Sequence, residues 1–133
     1  MLIGLDTNIL VHATLIEDKG KHEKAKRFLE EIVPRGNYLI SLQVAAEYYA
    51  TIIRIAPNLA EEARELIEII ATPETTVHYN LETLNQALEK AGRRGKFWDT
   101  LIALTYLREG AEAIATENER DFKDIIKVIN PLR

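Results

Sequence analysis

Short apolar runs alternate with longer helical patterns along this chain, and that alternation is the feature that most constrains its fold. The runs predict buried strands at residues 2–5, 38–41, 75–79, 111–115 and 126–129. The helical patterns between them span residues 21–33, 43–55, 59–70, 81–91, 98–107 and a short turn at 119–124. Strands this short and apolar, separated by helices, favour a parallel sheet covered on both faces. We therefore predict a three-layer α/β/α sandwich with a central parallel sheet.

The size and composition of the chain fit one globular domain, residues 1–133. Of its 133 residues, 47% are hydrophobic and 29% are charged, which is typical of a chain that buries its own core. No cysteine occurs, and this excludes disulfides, thiolate catalysis and cysteine-ligated metals. No apolar run reaches the roughly 18–20 residues of a membrane helix. The N-terminus also lacks the features of a secretory signal, so we expect a cytoplasmic protein.

The formal net charge of −4 is a weak argument against a nucleic-acid substrate. Domains that bind nucleic acids usually carry a basic surface. An active site built from carboxylates would itself make the total acidic, because bound divalent cations are missing from the formal count.

Three acidic residues interrupt apolar segments at positions where a core residue is expected. Asp6 follows the first strand, Glu47 lies within the helical segment Val44–Ala50, and Asp99 lies in the helix that starts near Phe97. A buried carboxylate is costly unless it is paired or binds a metal. Both Glu47 and Asp99 share a helical stripe with apolar residues, so both side chains are expected to point inward.

The carboxyl ends of the strands locate the predicted site. In parallel α/β sheets, ligands bind outside those ends. Asp6 follows the first predicted strand and Thr116 follows the fourth, so these two side chains are expected at the same edge of the sheet.

Each acid taken singly also has a structural explanation. Asp6 alone would be an N-cap, and Asp99 would suit a first helical turn, where negative charge is favourable. Glu47 would need a buried partner such as Arg54 or Arg108. Together the three acids favour a cation site, because clustered carboxylates repel one another. Oxygen ligands without histidine or cysteine select Mg²⁺ or Mn²⁺, and such a cation suits phosphoryl chemistry.

Four segments of the chain resemble the PIN-domain family, specifically its ribonuclease toxins of the VapC type. They are Leu5–Leu10, Ile40–Glu47, Phe97–Ala103 and Thr116–Phe122. Their order and spacing cover nearly the whole chain. The resemblance implies a PIN-like α/β/α fold and an endoribonuclease that depends on Mg²⁺ or Mn²⁺.

The resemblance also implies roles for individual residues. Asp6 and Asp99 correspond to the principal metal ligands. Glu47 corresponds to the third acid, which either completes the cation site or orients the attacking water. Thr7 and Asn8 follow Asp6 as in the family pattern, which implies hydrogen bonds that position its carboxylate.

The fourth acidic position is where this chain departs from the family. Many relatives have aspartate at the position of Asn118, whereas others have asparagine there and an acid three residues later, which matches Asp121. We expect Asn118 to order water or phosphate, and Thr116 to help position the substrate. Either Asp121, which we include in the catalytic set, or Glu117 then supplies the remaining negative charge. The number of metal ions stays open.

The resemblance implies the toxin of a type II toxin–antitoxin pair, acting on RNA, inhibited by a partner antitoxin and forming a homodimer. The helices around Phe28 and over residues 59–70 carry apolar stripes that face either a partner or the core. The alternative function is a non-catalytic PIN-like interaction module with weakened metal binding. Asn118 favours that alternative, and the three intact acids oppose it. A small phosphatase is disfavoured because no Asp-x-Asp pair follows the first strand.

Three further groups of residues have both a functional and a structural interpretation. A basic run before Asp99 is either a solvated turn or a contact for RNA phosphates: Lys90, Arg93, Arg94 and Lys96. Three histidines lack metal-ligand spacing, which favours ordinary surface or core roles: His12, His22 and His78. Three aromatic residues would suit stacking on RNA bases, but their apolar neighbours favour core packing: Tyr48, Tyr49 and Trp98.

Overall fold

The computed structural model describes residues 1–94 and 96–133, with the side chains of Arg93 and Arg94 outside that description. Within these residues the strands are β1 (Ile3–Leu5), β2 (Tyr38–Ser41), β3 (Thr76–Val77), β4 (Ala113–Ala115) and β5 (Lys127–Ile129). The helices are α1 (Thr7–Thr14), α2 (Lys19–Ile32), α3 (Leu42–Ile55), α4 (Ala60–Ile70), α5 (Leu81–Arg94), α6 (Phe97–Arg108) and α7 (Glu119–Phe122). A turn of 3₁₀ helix, Pro57–Leu59, precedes α4. None of the described helices combines the length and hydrophobicity that crossing a membrane requires.

The strands form a parallel sheet in the order β3-β2-β1-β4-β5. β1 lies at its centre, with Ile3 opposite Tyr38 on one side and Ala113 on the other. Parallel neighbours need crossover connections, and the helices supply them. Helices α1 to α4 pack in one group, and α5 to α7 pack in another. The predicted α/β/α sandwich with a central parallel sheet is confirmed.

The core lies around the three inner strands, β2, β1 and β4, and one buried tyrosine links two of them. β1, β2 and β4 are buried along their whole length, as expected for strands covered on both faces. The hydroxyl of Tyr106, on α6, donates to the Leu5 carbonyl at 2.5 Å and accepts from the Ser41 backbone N–H at 3.0 Å. This tyrosine therefore fixes the carboxyl ends of β1 and β2 relative to each other.

Several predicted boundaries shift by one or two residues, and the lengths of α5 and β3 differ by more, each for a local reason. Helix α5 continues to Arg94 instead of ending at Ala91, so the first part of the predicted basic turn is helical. A glycine such as Gly92 costs a helix only about 1 kcal/mol, and by itself does not end one. Gly95, in the same predicted turn, lies outside the described residues. Strand β3 is shorter than predicted because it is the edge strand and pairs only with β2.

Candidate active site

The candidate site lies at the carboxyl ends of the neighbouring strands β1 and β4. Leu5 of β1 pairs with Ala115 of β4, so the residues that follow, Asp6 and Thr116, leave the sheet side by side. The backbone N–H of Asp6 donates to the Ala115 carbonyl at 3.1 Å. The Thr116 hydroxyl donates to Asp6 Oδ2 at 2.7 Å. The prediction that Asp6 and Thr116 share this edge is confirmed.

Hydrogen bonds hold both oxygens of the Asp6 carboxylate. Oδ1 accepts from the Thr7 backbone N–H at 2.8 Å, which caps α1, and Oδ2 accepts from the Asn8 side-chain amide at 3.2 Å. Asn8 is itself held, because its Nδ2 also donates to Thr116 Oγ1 at 3.1 Å and its Oδ1 accepts from the Glu117 backbone N–H at 3.2 Å. Asp6 is thus an N-cap whose orientation is set by side chains of the site.

Burial and neighbouring acids raise the pKa of Asp6 from 3.8 to about 6. Only 6% of the residue is exposed, and loss of hydration is the largest cause of the rise. Hydrogen bonds from Thr116 and Thr7 lower the pKa, and the negative charges of Asp99 and Glu47 raise it further. The three carboxylates therefore interact electrostatically, and a cation among them would favour the ionised form of Asp6.

Glu47 and Asp99 lie at the rim of the site and not in the core. Glu47 is exposed and Asp99 is half-buried, so the prediction that both point inward is wrong. Helix α3 starts at Leu42, directly after β2, with Ser41 as its N-cap, so its first turns lie at the sheet edge where a side chain can face a cleft. Asp99 lies in the first turn of α6, where the positive end of the helix dipole favours a negative charge, as predicted for Asp99 taken singly.

The contacts of Glu47 come from neutral donors. Its Oε1 accepts from Gln43 Nε2 at 3.0 Å, and its Oε2 accepts from the Thr7 hydroxyl at 3.4 Å. Arg108, one of the partners considered for it, instead forms an ion pair with Glu109 at 3.2 Å. The geometry among the described residues thus does not support a buried ion pair at Glu47.

A cleft of about 380 Å³ brings Asp6, Glu47 and Asp99 together. Thr7, Asn8 and Asn118, which the sequence assigns to substrate positioning, also line this cleft. Thr116 is fully buried, and it acts through its hydrogen bonds to Asp6 and to the Asn118 backbone N–H. The remaining lining residues are Val11, His12, Thr51, Trp98, Ile102 and Glu117.

Asp121 lies outside this cleft. It lines an adjoining pocket together with Asp99 and forms an ion pair with Lys96. Helix α7 is a single turn, and it directs Asp121 toward the start of α6. Glu117, the other candidate for the fourth acid, does line the cleft. The position of these two residues therefore favours Glu117.

His12 and Lys21 belong to the surroundings of the site, and the sequence did not identify either. Glu117 lies 3.3 Å from His12 Nε2 and 3.1 Å from Lys21 Nζ. His12 follows Asn8 by four residues on α1, and that spacing placed both on one helical face. Lys21 has no comparable signal, because it reaches Glu117 through the packing of α2 on α1.

The donor set of the cleft suits a hard divalent cation. Carboxylate oxygens from Asp6, Glu47 and Asp99 and the amide oxygen of Asn118 are the ligands that Mg²⁺ and Mn²⁺ prefer. Among residues 1–94 and 96–133, no group of three acidic or histidine side chains lies close enough to enclose an ion. Mg²⁺ usually binds through one or two carboxylates and keeps several waters, so these residues fit a partly hydrated ion.

Comparison with known proteins identifies the fold. The PIN domain family model matches residues 3–128. FitAcB from Neisseria gonorrhoeae is 20% identical, with a TM-score of 0.75 over 98% of each chain. VapC20 from Mycobacterium tuberculosis, a Sarcin-Ricin loop cleaving toxin, is 18% identical, with a TM-score of 0.73 over 92% of this chain and 94% of its own. A toxin–antitoxin complex from Klebsiella pneumoniae is 20% identical, with a TM-score of 0.71 over 98% of each chain.

Comparison with curated protein sequences gives no significant match. The family-model match nevertheless spans every acid of the cleft and nearly the whole sheet. The solved structures show the same arrangement of elements over almost the full length of this chain. This protein therefore belongs to the PIN-domain family and has the fold of the VapC-type toxins.

Proposed function

We propose that this protein is an endoribonuclease that depends on Mg²⁺ or Mn²⁺ and hydrolyses phosphodiester bonds in RNA. The observation that carries the proposal is the convergence of Asp6, Glu47 and Asp99 on one cleft, where the latter two raise the pKa of the first. A cluster of this kind favours a divalent cation, which suits phosphoryl chemistry. Membership of the PIN-domain family supports a nuclease.

Two of the acids would hold the cation, and the third would handle the proton. Asp6 and Asp99 are the proposed ligands, and the ion bound there supplies a Lewis acid that stabilises negative charge on phosphate oxygens. Glu47 takes the proton of the attacking water as the new bond to phosphorus forms. The bond from phosphorus to the leaving ribose oxygen then breaks, and that oxygen takes a proton from solvent.

Polar residues around the acids would position the substrate. Thr7 and Gln43 hold the Glu47 carboxylate through the two hydrogen bonds described above. Asn118 lines the cleft, and its backbone N–H donates to Thr116 Oγ1 at 3.0 Å, which fixes the start of this loop. Its side-chain amide can therefore donate to a phosphate oxygen or to a water at a defined position.

Cleavage of RNA by the purified protein in Mg²⁺ tests the proposal. Asp6→Asn, Asp99→Asn and Glu47→Gln should each lower the rate by at least about 100-fold, the scale expected for loss of a general base or of electrostatic stabilisation. Glu89→Gln, which neutralises an exposed acid on α5, should leave the rate unchanged. Parental rates in both aspartate variants would overturn the mechanism. A parent that neither binds Mg²⁺ nor cleaves RNA would instead support the non-catalytic interaction module.

We also propose that the protein is the toxin of a type II pair and acts in the cytoplasm. The toxin–antitoxin complex among the structural neighbours supports this assignment. An apolar groove of about 410 Å³ between α2 and α4 offers a place for an antitoxin segment, and Ile69 in it is 61% exposed. Expression of the protein should arrest growth, and co-expression of the product of an adjacent short reading frame should restore it.

A homodimer is the remaining part of the proposal. Helix α5 exposes Leu81 and Leu88, 72% and 55% accessible, which lie two turns apart on one side. Burying this face against a second copy would remove both leucines from water. Light scattering should give a dimer mass for the parent, and Leu81→Asp combined with Leu88→Asp should give a monomer mass. A monomeric parent would contradict this part of the proposal.

A further inference from the structure

Trp98 is exposed at the carboxylate cleft, although its apolar neighbours in sequence predicted core packing. It is the single tryptophan of the chain and is 54% accessible, whereas Tyr48, for which we made the same prediction, is fully buried. Tryptophan is highly buried on average. The Trp98 ring packs edge-on against Phe97, with centroids 5.0 Å apart, yet more than half of the residue stays in solvent directly before Asp99, so this packing does not account for its position.

The cleft has an apolar side as well as an acidic one. Trp98 and Ile102 lie one turn apart on the same face of α6, and both line the cleft together with Val11 of α1. The three carboxylates and other polar residues line the rest of it. A hydrated cation needs only the oxygen ligands, so the apolar side indicates that the substrate contributes a flat apolar group here.

The space available exceeds what a cation requires. At about 380 Å³, the cleft is many times larger than the roughly 10–15 Å³ that one bound water needs. A second pocket of about 350 Å³ adjoins it, lined by Trp98 and Asp99 and reaching to Lys96. Trp98 thus lines both pockets, so an RNA strand that passes the acids from one pocket to the other would cross its indole.

On the basis of the proposed ribonuclease function, we propose that Trp98 is a stacking platform for an unpaired nucleobase next to the scissile phosphate. Aromatic side chains bind single-stranded nucleic acids by stacking on bases, which must first be unstacked from their neighbours. The substrate class is therefore single-stranded or looped RNA and not a continuous duplex. Loss of one such stack is expected to weaken binding roughly 5- to 150-fold.

Fluorescence tests the stack directly, because all indole emission of the chain comes from Trp98. In stopped-flow mixing with Mg²⁺, short single-stranded RNA of mixed sequence should quench this emission before product appears. An abasic strand of equal length and charge should quench little, and so should a duplex of the same sequence. Equal quenching by the abasic strand, or none by the RNA, would overturn the proposal.

Substitution provides the second measurement. Trp98→Leu should raise KM for RNA cleavage by the factor given above with little change in kcat, and Trp98→Phe should have a smaller effect. Ile16→Ala, which alters another exposed apolar residue that lines neither the cleft nor the adjoining pocket, should change neither constant. An unchanged KM for Trp98→Leu would contradict the stack. If the parent cleaves no RNA, the ribonuclease proposal fails separately, and quenching by RNA but not by the abasic strand still supports base stacking.

Discussion

The buried carboxylate of Asp6 should make the protein lose stability as the pH rises, and Asp6→Asn should remove that loss. A pKa raised from 3.8 to about 6 disfavours the ionised form in the folded state by about 3 kcal/mol. The folded state then holds the proton more tightly than the unfolded state between these two pH values. The contribution of Asp6 to the free energy of unfolding is therefore fully present below pH 4, and is lost as the pH passes 6.

Urea unfolding of both proteins across this pH range, without divalent cations, measures the effect. Asparagine does not titrate. The hydrogen bonds that the substituted side chain loses or keeps therefore change the free energy of unfolding by the same amount at every pH. The free energy of unfolding of the parent minus that of Asp6→Asn should therefore fall by about 2 kcal/mol between pH 4 and pH 7. Acids that do not interact with Asp6 titrate alike in both proteins and cancel in this difference, whereas Glu47 and Asp99 interact with it more weakly than burial acts on it. Glu89→Gln should behave as the parent does. A constant difference would refute the reasoning.

Four further outcomes follow from the same geometry. Mg²⁺ at neutral pH should raise the melting temperature of the parent more than that of Asp6→Asn, and EDTA should reverse the gain; equal responses would contradict a cation site at Asp6. Gly4→Ala should cost about 1–3 kcal/mol in urea unfolding, because the added methyl group would overlap the ring of Tyr106. Tyr106→Phe should also cost about 1–3 kcal/mol in that assay, since it leaves a buried N–H of β2 and a carbonyl of β1 unpaired. Asp121→Asn should cleave RNA at a rate much closer to that of the parent than Asp99→Asn does, because Asp121 pairs with a lysine outside the cleft.

The fold was predictable because its strands are buried on both faces and therefore appear in the sequence as short apolar runs. β2 occupies the predicted residues 38–41, and α3 begins one residue before its predicted start. The weakest boundary is that of β3, at the sheet edge, where one neighbour is missing and the predicted residues His78 and Tyr79 lie beyond the last pairing, at Val77. Local sequence patterns thus predict the bounds of a strand well where both of its faces and both of its edges are covered.

The orientation of the site residues was less predictable, because periodicity shows which side chains share a face but not what that face meets. Glu47 and Trp98 both lie in apolar stripes, yet both face a cleft, since α3 and α6 carry their first turns to the rim of the site. The contacts of Glu117 with His12 and Lys21 join three separate parts of the chain. No local pattern encodes such a cluster.

The hydrogen-bond donors around Asp6 indicate a cation site and not an internal ion pair. Asp6 accepts hydrogen bonds from Thr7, Asn8 and Thr116, all neutral groups, which orient the carboxylate without neutralising it. Among the side chains that the structure describes, Lys21 pairs with Glu117 and Lys96 pairs with Asp121. An arginine or lysine on Asp6 would have lowered its pKa, whereas neutral donors leave it raised. The described residues thus orient the Asp6 carboxylate and give it no cationic partner, as a site for a bound cation requires.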